Sequence, residues 1–197
     1  SDRDLMGAEQ RQWLTHELTD SKATGRVWQV LGNQVVTARV AGPDLSKMAT
    51  PEQIAGVLAS MPEDIRPQVE MALLLFKLGL PFNLDAWDGY PAGRERLYGA
   101  FREAGVSPLV LAGDSHAFWV NELKDAQGRQ AAVEFGTSAV SSPSVGDMLG
   151  AFPLGYALMQ TNPEVVFCDQ HAKGYTLLTL TPQQATAELR AVSTIMA

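Results

Sequence analysis

The stretch LVLAGDSHAFWVNEL, residues 109–123, contains an abrupt change of character that organises the rest of the chain. Four apolar residues, 109–112, end at GDSH (113–116), and a second apolar, aromatic run follows. A short and wholly apolar strand is typical of a sheet that is covered on both faces, and ligands collect at the carboxyl ends of such strands. We therefore expect Asp114 and His116 to lie at a binding edge of a parallel or mixed sheet.

Asp114 and His116 form the strongest candidate site. Their spacing of two residues lets both side chains face one way if the local backbone is extended. A carboxylate beside an imidazole is a plausible ligand pair for a divalent metal ion. The alternative is a polar turn in which Asp114 caps a neighbouring amide, and the residues alone leave both interpretations open.

A second candidate is Asn33, which follows an apolar strand predicted at residues 26–31. Val35 and Val36 could continue that strand beyond the break at Gly32. A carboxamide oxygen is a neutral, hard metal ligand, so Asn33 could share the sheet edge with Asp114. Asn also tolerates left-handed turns, which is the alternative explanation.

A third candidate lies in NLDAWDGYPAGRERL, residues 83–97, where Pro91 opens a predicted helix. A helix N-terminus favours anions. The aromatic side chains could line a pocket or pack in the core. The carboxylate could be a metal ligand or the helix cap, and the arginine could bind a phosphate or be solvated. These candidate substrate-binding residues are Trp87, Asp88, Tyr90 and Arg94.

Composition narrows the possible functions. The net charge of −7 over 197 residues argues against a nucleic-acid-binding surface. No apolar run approaches the roughly 18 residues of a transmembrane helix. The lone Cys168 forms no intrachain disulfide and is expected to be buried, whereas His16 and His171 are expected to be structural or solvated. No Walker loop, nucleophile elbow or zinc-type cysteine spacing is present.

Hydrophobic periodicity predicts helices that interleave with strands in the first half and antiparallel strands in the second. This order indicates a layered α/β fold. The interval 136–162 is rich in Ser, Pro and Gly and is predicted to be a long ordered loop. Helices are predicted at 7–20, after Pro51, at 62–78 and at 91–104, and further strands at 109–112, 117–123, 129–135, 164–168, 174–180 and 186–192.

The motif order resembles the C-terminal half of the PhoD-like alkaline phosphatases, within the calcineurin-like metallophosphoesterases. The segments that carry the resemblance are LMGAEQRQWLTHEL, VWQVLGNQ, NLDAWDGYPAGRERL, LVLAGDSHAFWVNEL and VEFGTSAVSSPS. It implies a two-layer β-sandwich flanked by helices, with a metal cluster at the strand ends. It also implies hydrolysis of phosphomonoesters or phosphodiesters, with metal-bound hydroxide as the nucleophile. By resemblance, Asn33 stands for the Asn of a G-N-H motif with Gln34 replacing its His, and GDSH stands for G-H-x-H with Asp114 replacing the first His.

The resemblance also implies a ligand set and a cofactor. Catalytic and metal-binding roles fall on Asn33, Asp114 and His116, with Asp88 as a further metal ligand. Fe³⁺ and Ca²⁺ are the expected ions, and Mn²⁺ or Zn²⁺ are possible substitutes. Relatives are often exported to the periplasm or the medium, although a signal segment is not in this chain.

The family's early ligand motifs are absent from residues 1–197, which we therefore interpret as the C-terminal part of a PhoD-like metallophosphatase domain. One alternative is a catalytically incomplete fragment or a non-enzymatic module whose exposed apolar surface drives homo-oligomerisation. A different hydrolase that uses the same sheet edge with one metal ion is another.

Overall fold

A computed structural model describes residues 3–150 and 152–195, and its centre is a five-stranded mixed sheet. The strand order is β1-β2-β4-β3-β5, in which β1, β2 and β4 run parallel and β3 runs antiparallel to both of its neighbours. The strands are β1 Val30–Asn33, β2 Leu109–Ala112, β3 Phe118–Lys124, β4 Gln130–Gly136, β5 Val165–Asp169, β6 Gly174–Leu180 and β7 Ala185–Ala191.

Helices cover the sheet, and their ends follow the local sequence. Thr50 and Gln53 form a capping box at the start of α2, and Gly105 ends α4 in the left-handed conformation with φ 65°. The α-helices are α1 Ala8–Ala23, α2 Pro51–Ser60, α3 Arg66–Lys77, α4 Pro91–Ala104, α5 Val145–Met148 and α6 Leu154–Thr161, and short 3₁₀ turns span Leu45–Lys47 and Trp87–Gly89. The predicted mixed α/β class is confirmed.

The parallel register brings the carboxyl ends of three strands to one edge. Asn33 pairs with Ala112 across β1 and β2, and Ala112 pairs with Gly136 across β2 and β4. Leu109 and Val110, whose side chains point to opposite faces of the strand, are both buried, as expected for a strand covered on both faces. The segment 113–116 therefore leaves the sheet at the edge where Asn33 ends, as the sequence predicts.

Several predicted elements need correction. Residues 136–162 are not a single loop, because α5 and α6 lie within them. A Ser144–Asp147 capping box starts α5, and both helices are too short for periodicity to reveal them. The first strand is Val30–Asn33 instead of 26–31, since pairing with the four residues of β2 fixes its length. Val35 and Val36 do not continue it.

The hairpin formed by β6 and β7 is a separate two-stranded sheet. Its ladder pairs Gly174 with Ala191 at one end and Leu180 with Ala185 at the other. Tyr175 is 52% exposed, so the hairpin contributes little to the core. None of the helices within the described ranges is both long and apolar enough to cross a membrane.

Candidate active site

The turn formed by residues 113–116, the 113–116 turn, has an unusual backbone. Asp114 has φ 64° and His116 has φ 55°, so both non-glycine residues adopt the left-handed conformation instead of the extended one. Each such residue costs on the order of 1–3 kcal/mol and persists only where its surroundings enforce it. Two in one short turn make this the conformationally most constrained point of the sheet edge.

Three hydrogen bonds hold the 113–116 turn in place. The Trp119 indole N–H donates to Ser115 Oγ at 2.8 Å, and the Ser115 N–H donates to the Gly113 carbonyl at 2.7 Å. Ser138 Oγ lies 3.2 Å from the His116 carbonyl and 2.5 Å from the Ala172 carbonyl, so its one hydrogen is shared between these two acceptors. Trp119 of β3 and Ser138, two residues beyond β4, thus supply contacts from outside the turn to its strained conformation.

The His116 ring has a defined orientation. Its Nδ1 lies 2.8 Å from the Pro143 carbonyl oxygen. A carbonyl only accepts hydrogen bonds, so Nδ1 carries a proton, and in the neutral imidazole the lone pair is then on Nε2. Metal-binding histidines typically use this arrangement, since the backbone contact fixes both tautomer and direction.

The Asp114 side chain is solvent-exposed. In the described part of the chain, no hydrogen bond or ion pair engages its carboxylate, so the alternative role as an amide cap is not observed. The Asp114 carboxylate, which lines the same cavity as His116, remains available to a ligand.

The side-chain nitrogen of Asn33 is hydrogen-bonded within the protein, which leaves its carboxamide oxygen available. Nδ2 donates to the Val35 carbonyl and to Thr37 Oγ1, each at 2.8 Å. The Val35 carbonyl can only accept, so it fixes which end of the amide is nitrogen and leaves Oδ1 as the atom for a ligand. Sequence reasoning found Asn33 but missed Thr37, which orients it.

A cavity of about 520 Å³ opens at the 113–116 turn. Asp88, Asp114 and His116 line it together. Asn33 and Trp87 instead line an adjacent groove of about 480 Å³ against α1. The structure thus brings three of the predicted metal-site residues to one cavity and places Asn33 on the neighbouring strand end.

Asp88 and Arg94 form a buried clamp. The Arg94 guanidinium lies 2.6 Å from Asp88 Oδ1, with the two side chains 5% and 10% exposed. The Val40 N–H donates to Asp88 Oδ2 at 2.8 Å. Both carboxylate oxygens are therefore bonded within the protein, Arg94 is not a solvated residue, and the side chain of Asp88 does not cap α4.

The two aromatic candidates beside this clamp lie away from the 520 Å³ cavity. Trp87 is 2% exposed and belongs to the hydrophobic core. Tyr90 lies beneath the Arg3 guanidinium carbon, which is 4.8 Å from the centre of its ring. These positions favour the core-contact alternative for Trp87 and a cation–π contact for Tyr90.

Residues 35–41, which we name the strap, form one wall of the cavity and lie outside any helix or strand. Five consecutive backbone N–H groups, those of residues 37–41, donate to side-chain oxygens from distant parts of the chain. Those acceptors are Glu134, Glu164, Asp88 and Asn162.

Glu134 is the central acceptor of the strap and was not identified from the sequence. It accepts from the Thr37 N–H at 2.7 Å, the Ala38 N–H at 3.2 Å and Asn121 Nδ2 at 2.8 Å. Burial raises the pKa of this carboxyl above its ordinary value, although the three donors oppose that shift. The only sequence signal was a charge inside the apolar strand QAAVEFG.

The other histidines and the cysteine behave as predicted. His16 and His171 are exposed. Cys168 is buried in β5, and burial raises the pKa of its thiol to about 12. These three residues take no part in the candidate site.

The donor atoms at the sheet edge fit part of a metal site. A carboxylate of Asp114, a nitrogen of His116 and an amide oxygen of Asn33 are suitable ligands for one ion. Within residues 3–150 and 152–195, however, no three Asp, Glu, His or Cys side chains cluster closely enough to hold a metal ion. The described residues would thus supply only part of a coordination sphere.

Comparisons with known proteins agree with this picture of the fold. A family model described as PhoD-like phosphatase matches residues 1–189. Alkaline phosphatase D of Bacillus subtilis (strain 168) is 27% identical over 191 residues, which cover 95% of this chain and 27% of that protein. A solved structure of PhoD superimposes with a TM-score of 0.64 at 24% identity, covering 96% of this chain and 30% of that one. The chain thus spans little more than a quarter of the length of the curated relative it matches.

Proposed function

This chain belongs to the PhoD-like phosphatase family, and on that premise we propose that it forms part of a metal-dependent phosphoesterase acting on phosphate monoesters or diesters. The observation that carries the proposal is the 113–116 turn, where two left-handed residues direct a carboxylate and a tautomer-fixed imidazole at one cavity. Strained backbone of this kind concentrates at functional sites.

The proposed metal ligands are the Asp114 carboxylate, His116 Nε2 and Asn33 Oδ1. They amount to one ion's share, so we propose that this chain is the C-terminal part of the catalytic domain and that other segments of the gene product complete the site. When bound, such an ion polarises phosphoryl oxygens and lowers the pKa of a water molecule. Fe³⁺ and Ca²⁺ stay predictions of the family resemblance.

The chain's own residues prepare the site for hydrolysis. The Pro143 carbonyl keeps the proton on His116 Nδ1, and Thr37 holds the Asn33 amide nitrogen, which leaves the amide oxygen for a ligand. In the overall reaction a new bond forms between phosphorus and a water oxygen, and the bond between phosphorus and the alcohol oxygen breaks. The proton lost by water ends on the departing alcohol, so atoms and charge balance.

A second candidate function is a non-catalytic module. The incomplete ligand set in the described residues and the exposed apolar side chains of α3, such as Met71 and Leu74, favour it. We expect the isolated 197-residue chain to show no turnover even with metal. Full activity from this chain alone would contradict the view that its catalytic site is incomplete.

The matched pair His116→Ala and His171→Ala tests the site. In the complete gene product, assayed on p-nitrophenyl phosphate and bis-p-nitrophenyl phosphate with Fe³⁺, Ca²⁺, Mn²⁺ or Zn²⁺, we expect His116→Ala to lower kcat/KM on the order of 10²-fold because an ion ligand is lost. The exposed His171 provides the control and should change little. Equal activity of the two variants would refute the assignment.

A further inference from the structure

The cavity at the 113–116 turn is larger than a phosphoryl group requires. Its volume of about 520 Å³ lies in the range of roughly 300–1,000 Å³ that is typical of pockets for whole small molecules. Apolar side chains from the strap, from the segment before the Trp87–Gly89 turn and from α5 also line the cavity: Val36, Val40, Phe82, Val145 and Met148. The rest of a ligand that is held at Asp114 and His116 would therefore contact apolar side chains.

The polar side chains within this wall already have protein partners. The hydrogen bonds of Asp88 and Ser115 are described above, the Ser144 hydroxyl donates to the Gln170 carbonyl, and the Gln170 amide donates to Cys168 Sγ at 3.2 Å. Asn83 and Ser142 lie at the exposed mouth. Within the cavity, the polar groups that remain available to a ligand are therefore those of the 113–116 turn.

The charge of the cavity wall also favours an uncharged ligand body. Among the described residues that line the cavity, none is a lysine or an arginine. The Asp88 carboxylate is paired with Arg94, and the Asp114 carboxylate adds a further acidic group to the lining. A ligand body that carries further negative charge would enter without a counter-ion and lose its hydration, which is unfavourable.

We infer that this cavity is the leaving-group pocket and that it selects phosphate esters of apolar, uncharged alcohols, such as medium-chain alkyl or aryl alcohols. Nucleotides and sugar phosphates fit it poorly, because their polar bodies find no partners on the apolar wall. The inference rests on the proposed phosphoesterase function and specifies the substrate class of that site.

Ethyl phosphate and hexyl phosphate provide the test in the complete, metal-loaded gene product. Their alcohols have nearly equal acidity, so a difference in kcat/KM reports contacts of the chain and not leaving-group chemistry. Burial of the four additional methylenes should raise kcat/KM for hexyl phosphate about 10-fold or more. Glycerol 3-phosphate is similar in size to hexyl phosphate but polar, so its kcat/KM should be close to that of ethyl phosphate.

Met148→Lys and Met71→Lys form a matched pair of variants. Both methionines are about half exposed, at 51% and 56%, so both variants should fold, but only Met148 lines the cavity. Met148→Lys should reduce the preference for hexyl over ethyl phosphate at least 3-fold, and Met71→Lys should leave it unchanged. An unchanged preference in Met148→Lys would overturn the placement of the pocket.

Binding of alkylphosphonates, whose carbon–phosphorus bond is not hydrolysed, separates the two hypotheses. If p-nitrophenyl phosphate is cleaved but ethyl and hexyl compounds react and bind alike, the pocket inference is overturned and the proposed function stands. If no ester is cleaved but hexylphosphonate binds about 10-fold more tightly than ethylphosphonate, the proposed function fails and the pocket inference is supported. Absence of both effects overturns both.

Discussion

The strap and the β6–β7 hairpin are stabilised in opposite ways. The strap has no regular secondary structure, yet Thr37 and Ala38 are 0% and 2% exposed, and side chains from distant elements accept its N–H groups. The hairpin has an uninterrupted ladder from Gly174 to Leu180, but its side chains are largely exposed. Regular hydrogen bonding and burial are therefore separate properties in this molecule.

This difference explains where the candidate site lies. A hairpin supplies its own hydrogen bonds and needs little from the rest of the fold. The strap keeps its shape only because buried carboxylates and an amide take the place of a neighbouring strand. Those side chains set the cavity wall and, through Thr37, the direction of Asn33.

Glu134→Ala should break the strap and give the largest effect. The substitution removes the acceptor of three buried donors and leaves their N–H groups unsatisfied. The free energy lost in this way is larger than the free energy gained because a carboxylate no longer has to be buried. We expect the free energy of unfolding to fall by about 3 kcal/mol. Glu188→Ala, on the exposed hairpin, should change it by less than about 0.5 kcal/mol.

Urea denaturation of both variants measures this contrast directly. If Glu134→Ala is as stable as Glu188→Ala, then the strap does not depend on the Glu134 carboxylate and the comparison fails.

Asp114→Asn should separate activity from stability. Asn keeps the size of the side chain and tolerates left-handed φ, so the free energy of unfolding should stay within about 0.5 kcal/mol of wild type. Loss of an anionic ligand should lower kcat/KM of the gene product on the order of 10²-fold. Asp85→Asn, at an exposed position before the Trp87–Gly89 turn, is the control, and similar kinetics for the two variants would count against the site.

Thr37→Val should loosen Asn33 without removing it. Valine keeps the shape and the backbone hydrogen bonds of Thr37 but lacks the Oγ1 that accepts from Asn33 Nδ2. We expect metal affinity, measured by equilibrium dialysis, to fall about 10-fold, and Thr37→Ser to restore it. Thr186→Val on the hairpin should have no effect, and a Thr37→Val variant with wild-type affinity would deny Thr37 an orienting role.

Asp147→Asn probes the junction of the two regions and should give the smallest effect. Asp147 Oδ2 accepts from Lys173 Nζ at 2.7 Å, which ties α5 beside the cavity to the base of β6. Burial tends to raise the pKa of Asp147, but the hydrogen bonds from Lys173 and Ser144 outweigh it and lower that pKa below the ordinary value of 3.8.

A lowered carboxyl pKa contributes stability above the unfolded-state value, and the contribution is lost as the pH falls through the folded-state value. Asp147→Asn should therefore cost about 0.5 kcal/mol at pH 7, a modest figure because the pair is partly exposed and screened. The difference between wild type and variant should diminish below about pH 4. Urea titrations at pH 7 and pH 3 test this, and a difference that grows on acidification would contradict the sign.

Local signals in the sequence predicted the elements that are locally stabilised. Pro91 and Gly105 delimit α4, and the change from apolar residues to GDSH places the end of β2. The 113–116 turn was located for the same reason, although its left-handed backbone was not foreseen, since contacts from Trp119 and Ser138 enforce it.

The strap could not be predicted in this way, because its stabilising partners lie far away in the chain. Nothing near Thr37 indicates that Glu134 will accept its N–H, and a glutamate within β4 gives no sign of its partner. The role of Asp88 was likewise ambiguous, since a carboxylate before a helix resembles a cap until the Val40 and Arg94 contacts are visible.

The long-range anchoring of the strap also has a kinetic consequence. The acceptors of its N–H groups lie between 48 and 125 residues away along the chain. Contacts between residues so far apart in the chain require a large loop to close, and the entropy of closure is lost before the contact contributes favourable energy. Such contacts therefore form late in folding. We expect the cavity wall to assemble after the transition state for folding, which means that perturbing Thr37 accelerates unfolding and leaves the refolding rate almost untouched.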